Sequence, residues 1–194
     1  MIVAVAGIPR SGTTLLMHML AAGGMPVYCD PDKYGRSFET SKMLGLPGDF
    51  LWMEDCNGKA VKLLEPLTRK PPRGYEYRFI LPKRDPLEQA KSQIKLLVNG
   101  NPNVTFRNDS KTLHRLAISI KRDTHRTRKM LERMGPIHQV QFEELLEKPD
   151  YIAGHLSTYV GEPLDVDLMV SVVRPRGPEC YNGLLELEML RGDA

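Results

Sequence analysis

The chain has 194 residues, 41% of them hydrophobic and 26% charged, with a formal net charge of +3. That length suits one domain burying about 70% of its unfolded surface. The composition is that of a folded globular chain rather than a disordered or fibrous one, and so mild a positive charge does not by itself argue for nucleic acid. Cys29, Cys56 and Cys180 are widely spaced and form no CxxC, so free thiols in a reducing compartment are expected, with no zinc site. No apolar run approaches the ~20 residues of a membrane span. Met1 leads straight into an apolar segment, which makes the cytoplasm the expected location.

Taken in chain order, residues 2–7 are an apolar, β-branched run that predicts a strand. Gly7-Ile8-Pro9-Arg10-Ser11-Gly12-Thr13-Thr14 follows, and the apolar stretch behind it predicts a helix over 12–22. Strand, glycine-bearing loop and helix form the layout that cradles a phosphate. Glycines supply backbone angles closed to other residues, and the loop amides and helix N-terminus then point at one anion. A phosphorylated ligand is therefore expected on Arg10 and on the N–H groups of Ser11, Gly12, Thr13 and Thr14. The glycine spacing is that of a Walker A loop, but Thr13 stands where the lysine belongs. The cation has moved inside the loop, to Arg10, where it meets a different atom from the one a Walker lysine reaches.

Residues 24–72 are rich in Gly, Pro, Met and aromatics, among them Tyr28, Tyr34, Phe38, Phe50 and Trp52. They read as loops and short helices over a ligand cleft, with a short strand at 59–64. A further strand is expected at 77–82. Beyond it Asp85 suits an N-cap, Pro86 the first helical position and Glu88 a capping box. A helix is thus expected over 86–98, with Arg84 at the strand-to-helix junction and Ser92 about two turns in. Asn99-Gly100-Asn101-Pro102-Asn103 reads as a loop.

The helix expected over 110–134 is strongly basic. Lys111, Arg115, Lys121, Arg122, Arg126, Arg128, Lys129 and Arg133 stand against only Asp123 and Glu132, and Gly135-Pro136 ends the run. This is a solvated face or a dock for an anionic acceptor such as an acidic glycan; the absence of interleaved aromatics points away from nucleic acid. A strand at 137–142 and helices at 143–147, 150–160 and 183–190 complete the pattern. Strands alternating with helices imply an α/β fold with a central parallel sheet flanked by helices, in one domain over 1–194.

Pro9-Arg10-Ser11-Gly12-Thr13-Thr14 resembles the 5′-phosphosulfate loop, P-[KR]-S-G-T-T, of sulfotransferases that use 3′-phosphoadenosine-5′-phosphosulfate (PAPS) as donor. Arg84, with Asp85-Pro86 behind it and Ser92 eight residues on, is similar to that family's second signature, which binds the donor's 3′-phosphate. A guanidinium fork and a hydroxyl suit such a dianion. Phe142-Glu143-Glu144-Leu145-Leu146 with Pro149 resembles the family's Y-E-D-L-L…P segment, with Phe142 for Tyr. Tyr159-Val160-Gly161-Glu162-Pro163-Leu164 is similar to the F-L-G-x-P that follows it. The resemblance covers residues 2 to about 164.

The resemblance implies a three-layer P-loop NTPase-like fold. It also implies in-line transfer of a sulfuryl group from PAPS to a hydroxyl or amine of a small-molecule or glycan acceptor, without a metal, releasing 3′,5′-ADP. Lys62 matches the family lysine that neutralises charge as the sulfuryl group leaves, with Lys59 as the fallback. Aryl and steroid members carry a His two residues after that lysine; Leu64 stands there instead, so the general base must lie elsewhere. Other branches carry a Glu after the first helix, which makes Glu39 the candidate, with Glu54 and Glu65 as rivals. His18 is expected to be a buried histidine rather than a base, and Phe142 a core aromatic, with a place near the adenine as the alternative. Arg174-Pro175-Arg176-Gly177 is loosely similar to the basic stretch that closes over the 3′-phosphate, which adds Arg176 to the donor site. Two other readings remain. One is an atypical P-loop kinase using ATP and Mg²⁺, against which Thr13 counts; the other is a nucleotide-binding protein without catalysis.

Overall fold

The computed structural model describes residues 1–30, 38–40, 51–100 and 110–174. Five strands, β1 (Ile2–Gly7), β2 (Val27–Tyr28), β3 (Ala60–Leu64), β4 (Tyr77–Lys83) and β5 (Ile137–Gln141), form one sheet in the order β2-β3-β1-β4-β5. Every pairing in it is parallel. The helices are α1 (Thr13–Ala22), α2 (Pro86–Gly100), α3 (Ser110–Leu131), α4 (Phe142–Glu147), α5 (Pro149–Val160) and α6 (Val166–Ser171). A 3₁₀ turn, Leu51–Cys56, precedes β3.

Alternation along the strands sorts the core into two layers. Val3 and Val5 of β1, with Ala60, Ile80 and Val140, pack against Leu16 and Leu20 of α1, Leu156 of α5 and Met169 of α6. Ile2, Ala4 and Ala6 point the other way. With Val61, Leu63, Phe79 and Leu81 they pack against Leu131 of α3 and Trp52 and Met53 of the 3₁₀ turn. A central strand covered on both faces has no polar side, which is why β1 reads as an unbroken apolar run. The three-layer α/β architecture is the expected one.

The order of the strands places the site. The chain leaving β1 goes to β2 on one side of the sheet; the chain leaving β4 goes to β5 on the other. β1 and β4 are neighbours, with Val5 level with Ile80. The crevice beyond the carboxyl ends of adjacent strands whose connections diverge is where open α/β sheets bind ligands. Here the phosphate loop leaves β1 and the Arg84 junction leaves β4, so the topology brings the two together.

Within the described residues the expected strands and helices are present, β1 at its expected bounds and the others with ends displaced by up to three residues. β2 and α6 were not expected; the 3₁₀ turn falls in the stretch read as loops and short helices. β2 is two residues long and exists through its pairing with β3, Val27 to Ala60 and Tyr28 to Val61. α6 had a local signal: Asp165 caps it, its carboxylate accepting the Leu168 N–H at 3.0 Å. The helix expected at 183–190, with Arg176 and Cys180, lies outside the described residues. Cys29 and Cys56 are free thiols, and burial, with the neighbouring Asp30 charge, raises the pKa of Cys29. No described helix is long and apolar enough to cross a membrane.

His138 of β5 lies between His155 and Tyr159, with ring centroids 6.4 and 5.0 Å away. Burial, and secondarily the charge of His155, lowers its pKa below the usual 6.5. The folded form then binds this proton less readily than the unfolded chain, so stability falls as pH drops below about 6.5. His138→Gln should flatten that acid-side loss. Melting temperatures of both proteins at neutral pH and near pH 5 test it; parallel declines would clear His138 of the effect.

Candidate active site

The phosphate loop is held in shape from both sides. Arg10 adopts φ +67° and Gly12 φ +111°. Two glutamines of α2, Gln89 and Gln93, donate their side-chain amides to the Pro9 carbonyl at 2.9 and 2.8 Å. Leu16 is the first α1 residue to donate within the helix, to Gly12 O at 3.2 Å. The amides before it lie outside that ladder, as at any helix start. Among the described residues no side chain caps α1, whose N-cap is Gly12. The Ser11 hydroxyl is 2% exposed and has no hydrogen-bond partner among the described residues. A buried hydroxyl in that state costs energy that a bound anion or water would offset, so the loop fits a phosphate-bearing ligand.

Gly12 also meets a neighbour. A Cβ placed on it would lie 2.5 Å from Cδ2 of Phe142. Gly12→Ala is therefore expected to lose about 1–3 kcal/mol of stability from backbone strain and overpacking. Denaturant midpoints check this; an unchanged midpoint would mean that loop and ring both yield.

Lys62 is the middle residue of β3, level with Val5. Val61 and Leu63 fill the far layer, so alternation turns Lys62 toward α1. There it is 4% exposed. Its ammonium donates to Thr14 Oγ1 at 2.9 Å and to Glu39 Oε1 at 3.0 Å. The residue taken as catalytic cation and the residue taken as general base are thus in direct contact. Of the rivals, Glu54 is exposed on the 3₁₀ turn, and Glu65 lies just past β3, where it lines a different cavity. Lys59 sits before β3, its ammonium 5.8 Å from the centre of the Tyr28 ring. His18 packs edge-on to Phe38, ring centroids 4.7 Å apart.

Arg84 follows β4. Asp85 caps α2 as expected, its Oδ1 accepting the N–H groups of Leu87 and Glu88 at 3.0 and 2.9 Å. The Asp85 N–H donates to Glu143 Oε1 at 3.2 Å, while the Glu88 carboxylate pairs with Lys91 at 3.1 Å. The guanidinium of Arg84 lies over the Phe142 ring, 4.9 Å from its centre, and donates to the Arg10 carbonyl at 3.2 Å. Arg10 Nε in turn donates to Ser92 Oγ at 2.9 Å. Arg10 and the Arg84–Ser92 pair, read from the sequence as separate anchors, are one connected group.

Phe142 departs from the sequence reading. It is half-buried and lines the cavity rather than sitting in the core, because it opens α4 directly at the carboxyl end of β5. The signal was its position one residue past a strand end. Arg10, Lys62, Glu39, Arg84 and Phe142 line one cavity of about 310 Å³. Thr13 and Thr14 of the loop join them there. Three cations, one carboxylate and one aromatic ring around a loop of amides can hold an anion, stabilise charge developing on it, and take a proton.

No protein-family model and no curated protein matches the chain by sequence. Solved structures do match. A sulfotransferase domain from the curacin biosynthetic pathway is similar at 15% identity and TM-score 0.54, covering 92% of this chain and 81% of that one. Sulfotransferase STF9 from Mycobacterium avium is similar at 16% identity and TM-score 0.51, covering 88% of this chain and 66% of its own. Retinol dehydratase, solved with androsterone and the inactive cofactor PAP, is similar at 16% identity and TM-score 0.50, covering 97% and 68%. The likeness to sulfotransferases first read from two short motifs therefore extends to the fold, which this chain shares with them.

Proposed function

We propose that the chain is a PAPS-dependent sulfotransferase. The observation that carries this reading is the convergence of Arg10, Lys62 and Arg84 on one cavity beside the phosphate loop, with Thr13 in place of a Walker lysine. The fold shared with sulfotransferases supports it, as does the neighbour solved with PAP.

When bound, the donor supplies an activated sulfuryl group. The amides of residues 11–14 and the Arg10 guanidinium hold its 5′-phosphosulfate. Arg84 and Ser92 hold the 3′-phosphate; this requires Arg10 to release Ser92 Oγ, which it now occupies. Phe142, already stacked on Arg84, offers a ring face to the adenine. Lys62 stabilises the charge that builds on the leaving phosphate oxygen as the acceptor oxygen attacks sulfur in line. Glu39 takes the acceptor proton. Its contact with Lys62 fixes the carboxylate beside the transferring group. Protein cations do the neutralising, so the reaction we propose requires no metal. The acceptor is a small molecule or glycan with a hydroxyl or amine, and the thiols suit a reducing cytoplasm.

Calorimetric titration with 3′,5′-ADP, beside 5′-AMP and ATP·Mg²⁺, tests the reading. Metal-independent selection of 3′,5′-ADP is expected, with 5′-AMP at least about tenfold weaker for want of the 3′-phosphate contacts. Preference for ATP·Mg²⁺ would overturn it in favour of a kinase.

A further inference from the structure

A second cavity, of about 160 Å³, lies between Ile8 of the phosphate loop, the chain that follows β3, helix α2 and helix α3. No described residue lines both this cavity and the first. The chain turns between them at Glu65, which follows Leu64 of the first cavity and takes φ +52°, a left-handed conformation that a residue with a side chain adopts at a cost. The Glu65 amide donates to Gly7 O at 3.0 Å, which ties that turn to the base of the phosphate loop.

At this cavity the Thr127 side chain is 1% exposed, and its hydroxyl has no hydrogen-bond partner among the described residues. Such a group is rare in a folded protein and costs free energy until something meets it. The groups around it are hydrogen-bond acceptors and neutral amphoteric groups: the carboxylates of Glu65 and Asp123, the hydroxyls of Thr68 and Ser119, and the amide of Gln93. Among the described residues no Lys or Arg lines the space, which makes it a poor match for phosphate or sulfate. Asp123 is already met by Arg122 at 3.2 Å, Arg126 at 3.9 Å and the Ser119 hydroxyl at 3.3 Å. Asp123 thus already has partners, and its oxygens are left as acceptors for neutral donors as well as for a cation, which the ethanolamine control tells apart. Ile8, Leu67, Leu116 and Ile120 supply an apolar wall. The volume is that of roughly five liquid waters, the size of one sugar ring.

We propose that this cavity is a second ligand site and that it binds a neutral, polyhydroxylated ring such as a single sugar residue. One apolar face lies on the aliphatic wall, and the ring hydroxyls donate to Glu65 and Asp123 and pair with the Thr127 hydroxyl at the buried end. The site stands independently of whether the first cavity takes a phosphosulfate donor.

Saturation-transfer NMR on the full chain tests it, with the methyl glycosides of glucose, galactose, xylose and N-acetylglucosamine as probes and ethanolamine as the cationic control. At least one glycoside should show transfer that persists when 3′,5′-ADP is in excess. Thr127→Val, of nearly the same shape, should weaken that binding roughly fivefold or more, the ordinary value of one buried hydrogen bond. Ser119→Leu, which blocks the space instead, should abolish it and serves where Thr127→Val lowers the melting temperature. Four outcomes would overturn the proposal: no transfer to any glycoside, displacement of the glycoside by 3′,5′-ADP, binding unchanged in both variants, or binding of ethanolamine alone.

Discussion

Lys62→Ala is expected to lower turnover by roughly 10²–10³-fold, the usual cost of deleting one preorganised charge stabiliser, while leaving the affinity for 3′,5′-ADP within about threefold. The split follows from where the ammonium is held. β3 presents it on the α1 side of the sheet, 4% exposed, with Thr14 Oγ1 and Glu39 Oε1 as partners. Thr14 belongs to the loop proposed to take the phosphosulfate, so in that proposal the ammonium stands by the transferring group rather than by the 3′-phosphate. A charge in so dry a place acts more strongly than one in water and needs no reorganisation at the moment of reaction. Lys62→Arg should not rescue the rate, because the buried space fits a compact ammonium and not a planar fork. Glu39→Gln should slow transfer as well. The double variant should lose less than the product of the single losses, since the two groups act through one contact. Single-turnover rates with the first acceptor that supports transfer, beside calorimetry with 3′,5′-ADP, decide the point. A wild-type rate would remove Lys62 from the chemistry, and equal losses in rate and affinity would make it a donor-binding residue.

Much of this site is legible in the chain because its parts are local. The phosphate loop is contiguous, and its glycines, its arginine and the strand before it can be read together. Arg84 and Ser92 share one junction and the helix behind it, so their spacing alone suggests that they act as a pair. Lys62 could be placed by its strand. What the sequence conceals is what lies between such units. Nothing in it says that Arg10 reaches across to Ser92, because that contact depends on β1 and β4 being neighbours, which is a matter of strand order. Phe142 has the composition of a core residue; it lines the cavity only because β5 ends level with the phosphate loop, so that α4 begins there. β2 has too few residues for any periodicity and owes its existence to its partner strand. The second cavity is the furthest from the sequence, since its walls come from four segments whose meeting is a result of packing.

Arg84→Ala should weaken 3′,5′-ADP binding by roughly 10–100-fold, the worth of one or two charge-assisted hydrogen bonds, and weaken 5′-AMP by little. The guanidinium is placed by three independent features: the end of β4, the Phe142 ring 4.9 Å away, and the Arg10 carbonyl at 3.2 Å. A side chain so fixed loses little freedom when a phosphate arrives, so most of the interaction appears as affinity. Arg84→Lys should recover part of the loss, keeping the charge without the fork or the stacking face. Ser92→Ala should cost less than Arg84→Ala. It removes one neutral hydroxyl, and it frees Arg10 from a contact it must otherwise give up. The ratio of the two ligands' affinities is the decisive quantity, because it separates the proposed 3′-phosphate contact from the observed hold on the Arg10 carbonyl. If it binds the 3′-phosphate, the ratio collapses toward one. If it only holds the loop through the Arg10 carbonyl, 5′-AMP and 3′,5′-ADP weaken together and the ratio stands, and the donor assignment of this arginine then fails even though the variant binds poorly.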